Sequence, residues 1–123
     1  MGRYGFRQLR VWEKAKDLAV YIYRISHAGA LARDLSLRDQ IRRSAVSIAS
    51  NIAEGDERNT DREAVRFFYI AKGSLAELRT QIEIARESGH LEEPEFRNVE
   101  SQCQAVGKML GSLIKARSRS LGS

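Results

Sequence analysis

The strongest constraint on the fold of this chain lies in residues 36–54, where apolar and polar side chains recur with helical spacing. The apolar positions repeat at steps of four, three and four residues, and they are Ile41, Ala45, Ile48 and Ile52. A second stripe of small and polar side chains keeps this spacing one position earlier and consists of Gln40, Ser44, Ser47 and Asn51. Gly55 is expected to end the helix, because glycine tolerates the positive φ of a helix C-terminus. The segment therefore predicts a helix that buries one face and carries a polar stripe beside it.

Three other segments share this periodicity, so the sequence predicts four helices, at about residues 8–28, 36–54, 61–88 and 94–117. Ser36 and Thr60 are the expected N-caps of the second and third helices, and Pro94 suits the first turn of the fourth. Gly29 and Gly89 are expected to end the first and third. Because the connections are short, we expect an all-α fold in which residues 1–123 form a single antiparallel, up-down-up-down four-helix bundle.

The composition limits the kinds of partner and compartment. Lysine and arginine number 21 against 16 acidic residues, so the chain has a formal charge of +5, which permits an anionic partner without requiring one. The single cysteine excludes an intrachain disulfide. No apolar run approaches the ~20 residues of a membrane span, and no secretory leader opens the chain, so we expect a cytoplasmic protein that has no membrane contact.

Side chains with catalytic potential are few. The only histidines, His27 and His90, fall at predicted helix ends, where a histidine commonly interacts favourably with the helix dipole. Glu87 and His90 have the spacing of a di-iron motif, but such sites need two copies of it and further carboxylates. Cys103 occupies an apolar helical position, where cysteine behaves as a small hydrophobe. We therefore expect no enzymatic activity, no catalytic residue, no metal and no cofactor.

The best candidate for a binding surface is a set of basic side chains in the first two predicted helices and just before them: Arg7, Arg10, Lys14, Arg38, Arg42 and Arg43. An antiparallel hairpin could bring the two segments together. Arg42 and Arg43 also lie near a helix start, where the dipole is already positive and does not favour them. A solvated charged face is the alternative explanation. Because few aromatic residues accompany these cations, backbone electrostatics would have to dominate any nucleic-acid binding.

A second candidate surface lies between subunits. The polar stripe exceeds what a monomeric core requires, and two glycines in the fourth helix would let another backbone approach closely. The candidate interface residues are Gln40, Ser44, Ser47, Asn51, Gly107 and Gly111. Ordinary tight packing inside one bundle is the alternative. We expect a homo-oligomer, with five subunits favoured by the family resemblance described next.

Three blocks of the sequence read Phe6-x-x-Leu9-x-Val11-Trp12, Leu37-x-x-Gln40-Ile41-x-Arg43-Ser44-x-x-Ser47-Ile48-x-x-Asn51-Ile52-Ala53-Glu54-Gly55 and Ala71-x-Gly73-Ser74-x-x-Glu77-Leu78. In combination they resemble the four-helix bundle family of 23S rRNA intervening-sequence proteins, over nearly the whole chain. One departure is visible, since members often have a Pro-x-x-Glu turn before the second helix and residues 30–34 lack it. The first connection is therefore expected to differ in shape.

The resemblance implies a bacterial, cytoplasmic four-helix bundle that assembles as a ring-like homopentamer. A related accessory protein of diversity-generating retroelements is a basic pentamer that binds nucleic acid and a reverse transcriptase. We therefore expect a non-enzymatic, oligomeric protein that binds nucleic acid, RNA above all, through its basic face. A protein-interaction scaffold for a nucleic-acid enzyme such as a reverse transcriptase is the alternative. Salt separates the two, because nucleic-acid binding weakens steeply as salt rises.

Overall fold

The computed structural model describes residues 5–119 and 121, and all regular structure within them is helical. The elements in chain order are a 3₁₀ turn at Phe6–Gln8, α1 (Arg10–Ile25), α2 (Gly29–Arg33), α3 (Leu35–Asp56), α4 (Asp61–Glu87) and α5 (Glu93–Ser118). The four long helices correspond to the four predicted ones, and α2 is an addition. The all-α prediction is confirmed. No helix in this part of the chain combines the length and apolar character that crossing a membrane needs.

Neighbouring long helices run antiparallel around one core. Arg42, early in α3, bonds to Ser26 at the end of α1, and Arg117, late in α5, pairs with Asp61 at the start of α4. Contacts link α1 to α3, α3 to α4, α4 to α5 and α5 back to α1, which closes the bundle. The predicted apolar face of α3 is buried, and its members Ile41, Ala45, Ile48 and Ile52 are each 0% exposed.

The end of α1 and the start of α3 are among the helix boundaries that differ from the predicted ones. α1 ends at Ile25, and Ser26 is its C-cap, with a hydroxyl that donates to the Ile22 carbonyl at 2.6 Å and accepts from Arg42 of α3. Asp34, and not Ser36, is the N-cap of α3, since its carboxylate accepts from the Leu37 amide at 3.1 Å. A carboxylate caps as well as a hydroxyl does and favours the positive end of the helix dipole.

Gly55 does not end α3, so that expectation is wrong. The helix continues through Asp56, and Gly55 is not among the described glycines with positive φ. A Cβ at this position would lie 2.6 Å from Cε1 of Phe68, which is fully buried. Gly55 is therefore a contact residue that lets α4 lie close to α3. Gly89, with φ 80°, does follow the end of α4 as predicted.

A buried carboxylate closes one end of the bundle. Asp56 is 0% exposed, and Nη1 of Arg117 lies 3.7 Å from its Oδ1. The same guanidinium donates through Nε to Asp61 at 2.8 Å. Arg117 thus ties the end of α5 to the connection between α3 and α4.

Candidate nucleic-acid interface

The six predicted basic residues form two groups at opposite ends of the α1–α3 hairpin. Because α1 and α3 are antiparallel, the start of α3 lies beside the end of α1, where Arg42 contacts Tyr23 and Ser26. Arg10 is the first residue of α1 and lies about 20 Å along the helix from Tyr23, at 1.5 Å per residue. The expectation that the hairpin joins all six cations is therefore wrong. Arg38, Arg42 and Arg43 form one group, which we call the α3 basic patch; Arg7, Arg10 and Lys14 form the other.

Arg42 is the most firmly positioned cation of the α3 basic patch. Its Nε donates to the Ser26 hydroxyl at 2.8 Å, and its Nη2 donates to the Ser26 carbonyl at 3.3 Å. The guanidinium also lies 4.5 Å from the centre of the Tyr23 ring. Ser26 can serve in this way because its own proton is directed to Ile22, which leaves the hydroxyl lone pairs for Arg42.

The charges in the α3 basic patch are unequally compensated. Arg38 pairs with Asp39 at 3.0 Å and also donates to the Ala32 carbonyl. Arg42 is held by neutral acceptors, and among the described residues neither it nor Arg43 has a carboxylate within ion-pair distance. Two positive charges therefore remain available to an anion at this surface.

A shallow pocket of about 510 Å³ lies beside these cations. The residues that line it are Tyr23, Asp39, Arg42, Arg43, Val46 and Ser47. The Tyr23 side chain is 45% exposed, so it offers an aromatic surface next to the guanidinium groups. A phosphate group could accept hydrogen bonds from the two arginines here while a base or sugar rests on the ring.

Sequence reasoning missed Tyr23 and Ser26. Both sit near the end of the first helix, and their role depends on which α3 residue faces them across the hairpin. Tyr23 could have been identified from its place in the sequence, because it directly follows the core residue Ile22 and therefore flanks the buried stripe. An aromatic residue at such a boundary is a candidate for partial exposure.

In the second basic group, Arg7 contacts an aromatic pair. Arg7 lies 4.9 Å from the centre of the Phe6 ring, which meets Trp12 edge to face at 5.0 Å. Arg10 and Lys14 are exposed on α1. These cations are set apart from the α3 basic patch and belong to the other end of the bundle.

Most of the predicted interface stripe is occupied inside the chain. Ser44 is buried, and the Ser47 hydroxyl shares a hydrogen bond of 2.9 Å with Ser74 of α4. Asn51 donates to the Ser47 carbonyl at 2.9 Å and to its hydroxyl at 3.0 Å. Ser47 therefore joins α3 to α4, and Asn51 has its partners within α3, so these two polar groups are bonded inside the chain. That the stripe also meets another subunit stays a prediction.

Of the remaining predicted interface residues, one packs inside the chain and two lie at the surface. A Cβ at Gly107 would lie 3.3 Å from Cδ2 of Leu75, so this glycine serves packing between α4 and α5. Gly111 has open space around its Cβ position, and Gln40 is exposed and donates to Ser36. Gln40 and Gly111 are thus the two members of the set that stay at the surface.

Cys103 is a core residue, and His90 is hydrogen-bonded at a turn between helices. Cys103 is 0% exposed, and burial, with a smaller effect of Glu100, raises the pKa of its thiol to about 12. His90 lies with Nε2 3.1 Å from Asp34 and Nδ1 3.2 Å from the Ser88 carbonyl. It therefore ties the α4–α5 turn to the N-cap of α3. Within residues 5–119 and 121, no three His, Cys, Asp or Glu side chains are grouped to hold a metal ion.

Comparison with known proteins gives a family and a fold. The sequence model of the family described as "23S rRNA-intervening sequence protein" matches residues 7–112. No curated protein matches the chain. Among solved structures, a protein of unknown function from the S23 ribosomal protein family of Bacteroides thetaiotaomicron is similar, with a TM-score of 0.80 and 22% identity. The alignment covers 85% of this chain and 95% of that one, and at this identity it shows the fold alone.

Proposed function

The chain belongs to the family of 23S rRNA-intervening sequence proteins, and from that premise we propose that it is a non-enzymatic, self-associating protein that binds nucleic acid through the phosphate backbone. The α3 basic patch is the proposed contact surface, with Arg42 and Arg43 as the residues that meet phosphate. Phosphate contacts supply affinity without reading sequence, so binding shows little sequence preference.

The observation that carries this proposal is the way in which Arg42 is held. Neutral acceptors on Ser26 and the ring of Tyr23 fix its guanidinium without cancelling its charge. A cation that is already positioned loses little side-chain entropy when it binds, and a planar guanidinium suits phosphate oxygens. An arginine kept only for solubility would need neither the buried serine nor the aromatic support.

Self-association strengthens binding at a patch with so few cations. A homo-oligomer, in which we favour five subunits, presents several copies of the α3 basic patch to one nucleic acid. After the first contact, each further one forms at a high effective concentration. The modest formal charge of +5 for one chain is therefore compatible with useful affinity.

Fluorescence anisotropy with a labelled structured RNA, a labelled single-stranded RNA and the corresponding DNAs tests the proposal. We expect binding at low salt whose logarithm falls linearly with the logarithm of salt concentration. The double variant Arg42→Glu with Arg43→Glu should weaken binding by about tenfold or more and flatten the salt dependence.

The matched control places the same charge change elsewhere. Arg97 and Lys108 are exposed on α5, so the double variant Arg97→Glu with Lys108→Glu alters net charge equally while sparing the α3 basic patch. Equal losses in the two double variants would mean that only net charge matters. Binding that is unchanged by Arg42→Glu with Arg43→Glu, or absent from the wild type at low salt, would refute the proposal.

A further inference from the structure

An apolar groove on the outside of the bundle, between α1 and α3, lies between the two basic groups. Its volume is about 500 Å³, and three aromatic side chains, Phe6, Trp12 and Tyr23, contribute to its lining. Val20 and Val46 also line it and are 42% and 41% exposed. The groove is thus an exposed apolar surface, rich in aromatic rings, beyond what the core of the chain uses.

The groove is continuous with the α3 basic patch. Tyr23 and Val46 line both the groove and the shallow pocket that Arg42 and Arg43 help to form. The Arg42 guanidinium lies 4.5 Å from the centre of the Tyr23 ring, so positive charge and aromatic surface adjoin at this end. A polymer held by its phosphates at the α3 basic patch therefore has the groove as the path for its neighbouring units.

The other end of the groove repeats the combination of an aromatic ring and an arginine. The guanidinium of exposed Arg7 lies 4.9 Å from the centre of the Phe6 ring, and Phe6 meets Trp12 edge to face. Lys16 lines the wall, but it pairs with Asp17 at 2.8 Å. Arg7 has no carboxylate within ion-pair distance among the described residues. Uncompensated positive charge therefore flanks the apolar floor at both ends.

We infer that this groove binds the bases of a single-stranded nucleic acid whose phosphates contact the α3 basic patch. The inference rests on the proposed function and specifies its ligand as a single strand. Proteins that bind single strands without reading their sequence combine positive charge along the backbone with aromatic side chains on which bases stack. The bases of a duplex are paired with one another, so a duplex can offer phosphates to the patch but no base faces to the groove.

The dimensions and the charges of the groove suit such a strand. From Trp12 to Tyr23 the groove extends about 16 Å along α1, which is room for about five nucleotides at the roughly 3.4 Å per nucleotide of a stacked strand. Base faces would lie on the aromatic and aliphatic side chains, while the polar base edges stay at the open side in contact with water. A continuous anionic backbone meets the cations at both ends, whereas an apolar protein helix would leave both unpaired.

The intrinsic fluorescence of the protein tests this inference. Trp12 is the only tryptophan in the chain, so its emission reports directly on the groove. We expect a short single-stranded RNA to quench Trp12 as it binds, because bases stack against the aromatic rings, and the corresponding duplex to quench it little. A strand of the same length in which abasic sites replace the bases keeps every phosphate. It should bind about tenfold more weakly than the intact strand and leave the emission unchanged.

A pair of matched variants fills the groove or spares it without changing charge. Ser50 lines the groove and is exposed, so Ser50→Leu should weaken single-strand binding by about tenfold and leave duplex binding unchanged. Ser101 is exposed on α5 and does not line the groove, so Ser101→Leu should leave both affinities unchanged. Circular dichroism checks that each variant keeps the helix content of the wild type.

Two results would overturn the inference. The first is equal affinity for the single strand, the duplex and the abasic strand, with unchanged Trp12 emission. The proposed function would still stand in that case if Arg42→Glu with Arg43→Glu weakened binding, so the two failures are distinguishable. The second is Trp12 emission that shifts with protein concentration in the absence of nucleic acid and does not respond to the strand, which would mean that a second copy of the chain fills the groove.

Discussion

The substitution Gly55→Ala tests the contact that sets the distance between α3 and α4. The added Cβ would lie 2.6 Å from Cε1 of Phe68, 2.9 Å from Cδ1 and 3.0 Å from the Ala64 carbonyl oxygen. Carbon atoms in van der Waals contact are about 3.5–4.0 Å apart, so the overlap is roughly 1 Å. Phe68 and Ala64 are both 0% exposed, so neither the ring nor the backbone can move into open space.

The expected net effect is a loss of stability, although alanine is the better helix former. Replacing glycine by alanine inside a helix favours folding by about 1 kcal/mol. Overpacking a core costs about 1–3 kcal/mol, and more where backbone must shift. Since the overlap here involves a backbone oxygen as well as a ring, we expect Gly55→Ala to lower the free energy of unfolding by about 1–2 kcal/mol.

Urea unfolding followed by circular dichroism measures this change, with Gly111→Ala as the matched control. Gly111 also lies inside a helix, but its Cβ position has open space, so alanine there should raise the free energy of unfolding by about 0.5–1 kcal/mol. The substitution Gly55→Ala should cost less stability when Phe68 has been replaced by Leu than it does in the wild type, because the smaller side chain leaves room for the added Cβ. A stabilising Gly55→Ala, or losses that simply add in the double variant, would refute the packing argument.

Three further predictions concern buried and capping groups. Arg117→Met removes the cation that pairs with buried Asp56 and should lower the free energy of unfolding, measured in urea, by about 3–5 kcal/mol. The control Arg97→Met, at an exposed position, should change it little. A loss under about 1 kcal/mol for Arg117→Met would contradict the pairing. Because burial raises the pKa of Cys103 from 9.0 to about 12, its contribution to stability is fully present below pH 9 and is lost as the pH rises toward 12. Between pH 7 and 11 the wild type should therefore lose more stability than Cys103→Ala, and equal losses would refute this reading. Asp34→Ala should lower the thermal midpoint by the few degrees that about 1 kcal/mol of capping is worth, and Asp34→Asn by less; equal shifts would assign the effect to charge alone.

The helices and the core could be predicted because their signals are local in the chain. The spacing of Ile41, Ile48 and Ile52 places them on one helix face whatever lies opposite, and all three are fully buried. Thr60 was identifiable as an N-cap because its hydroxyl accepts from the Glu63 amide, three residues on. Interactions within one turn of helix depend on near neighbours in sequence, so the sequence alone specifies them.

The candidate site was predictable in part. Positive charge singled out Arg42 and Arg43, and the structure shows them to be without carboxylate partners among the described residues. Their grouping with Arg7 and Arg10 was wrong, because an antiparallel hairpin places the starts of its two helices at opposite ends. Sequence order indicated which residues were basic but not which of them share a surface.

Only the tertiary structure decided the roles that depend on contact between helices. Glycine is the residue type expected at a helix end, yet Gly55 lies within α3. A glycine is needed there because the ring of Phe68 occupies the space that a side chain would fill. Ser47 could equally have faced another subunit, and its bond to Ser74 exists because α3 and α4 pack in this register. The sequence by itself determined periodicity, helix type, net charge and family, all of which follow from residue identity and near spacing. Which side chains meet across the bundle follows from the angle and register of packed helices, which many residues set together.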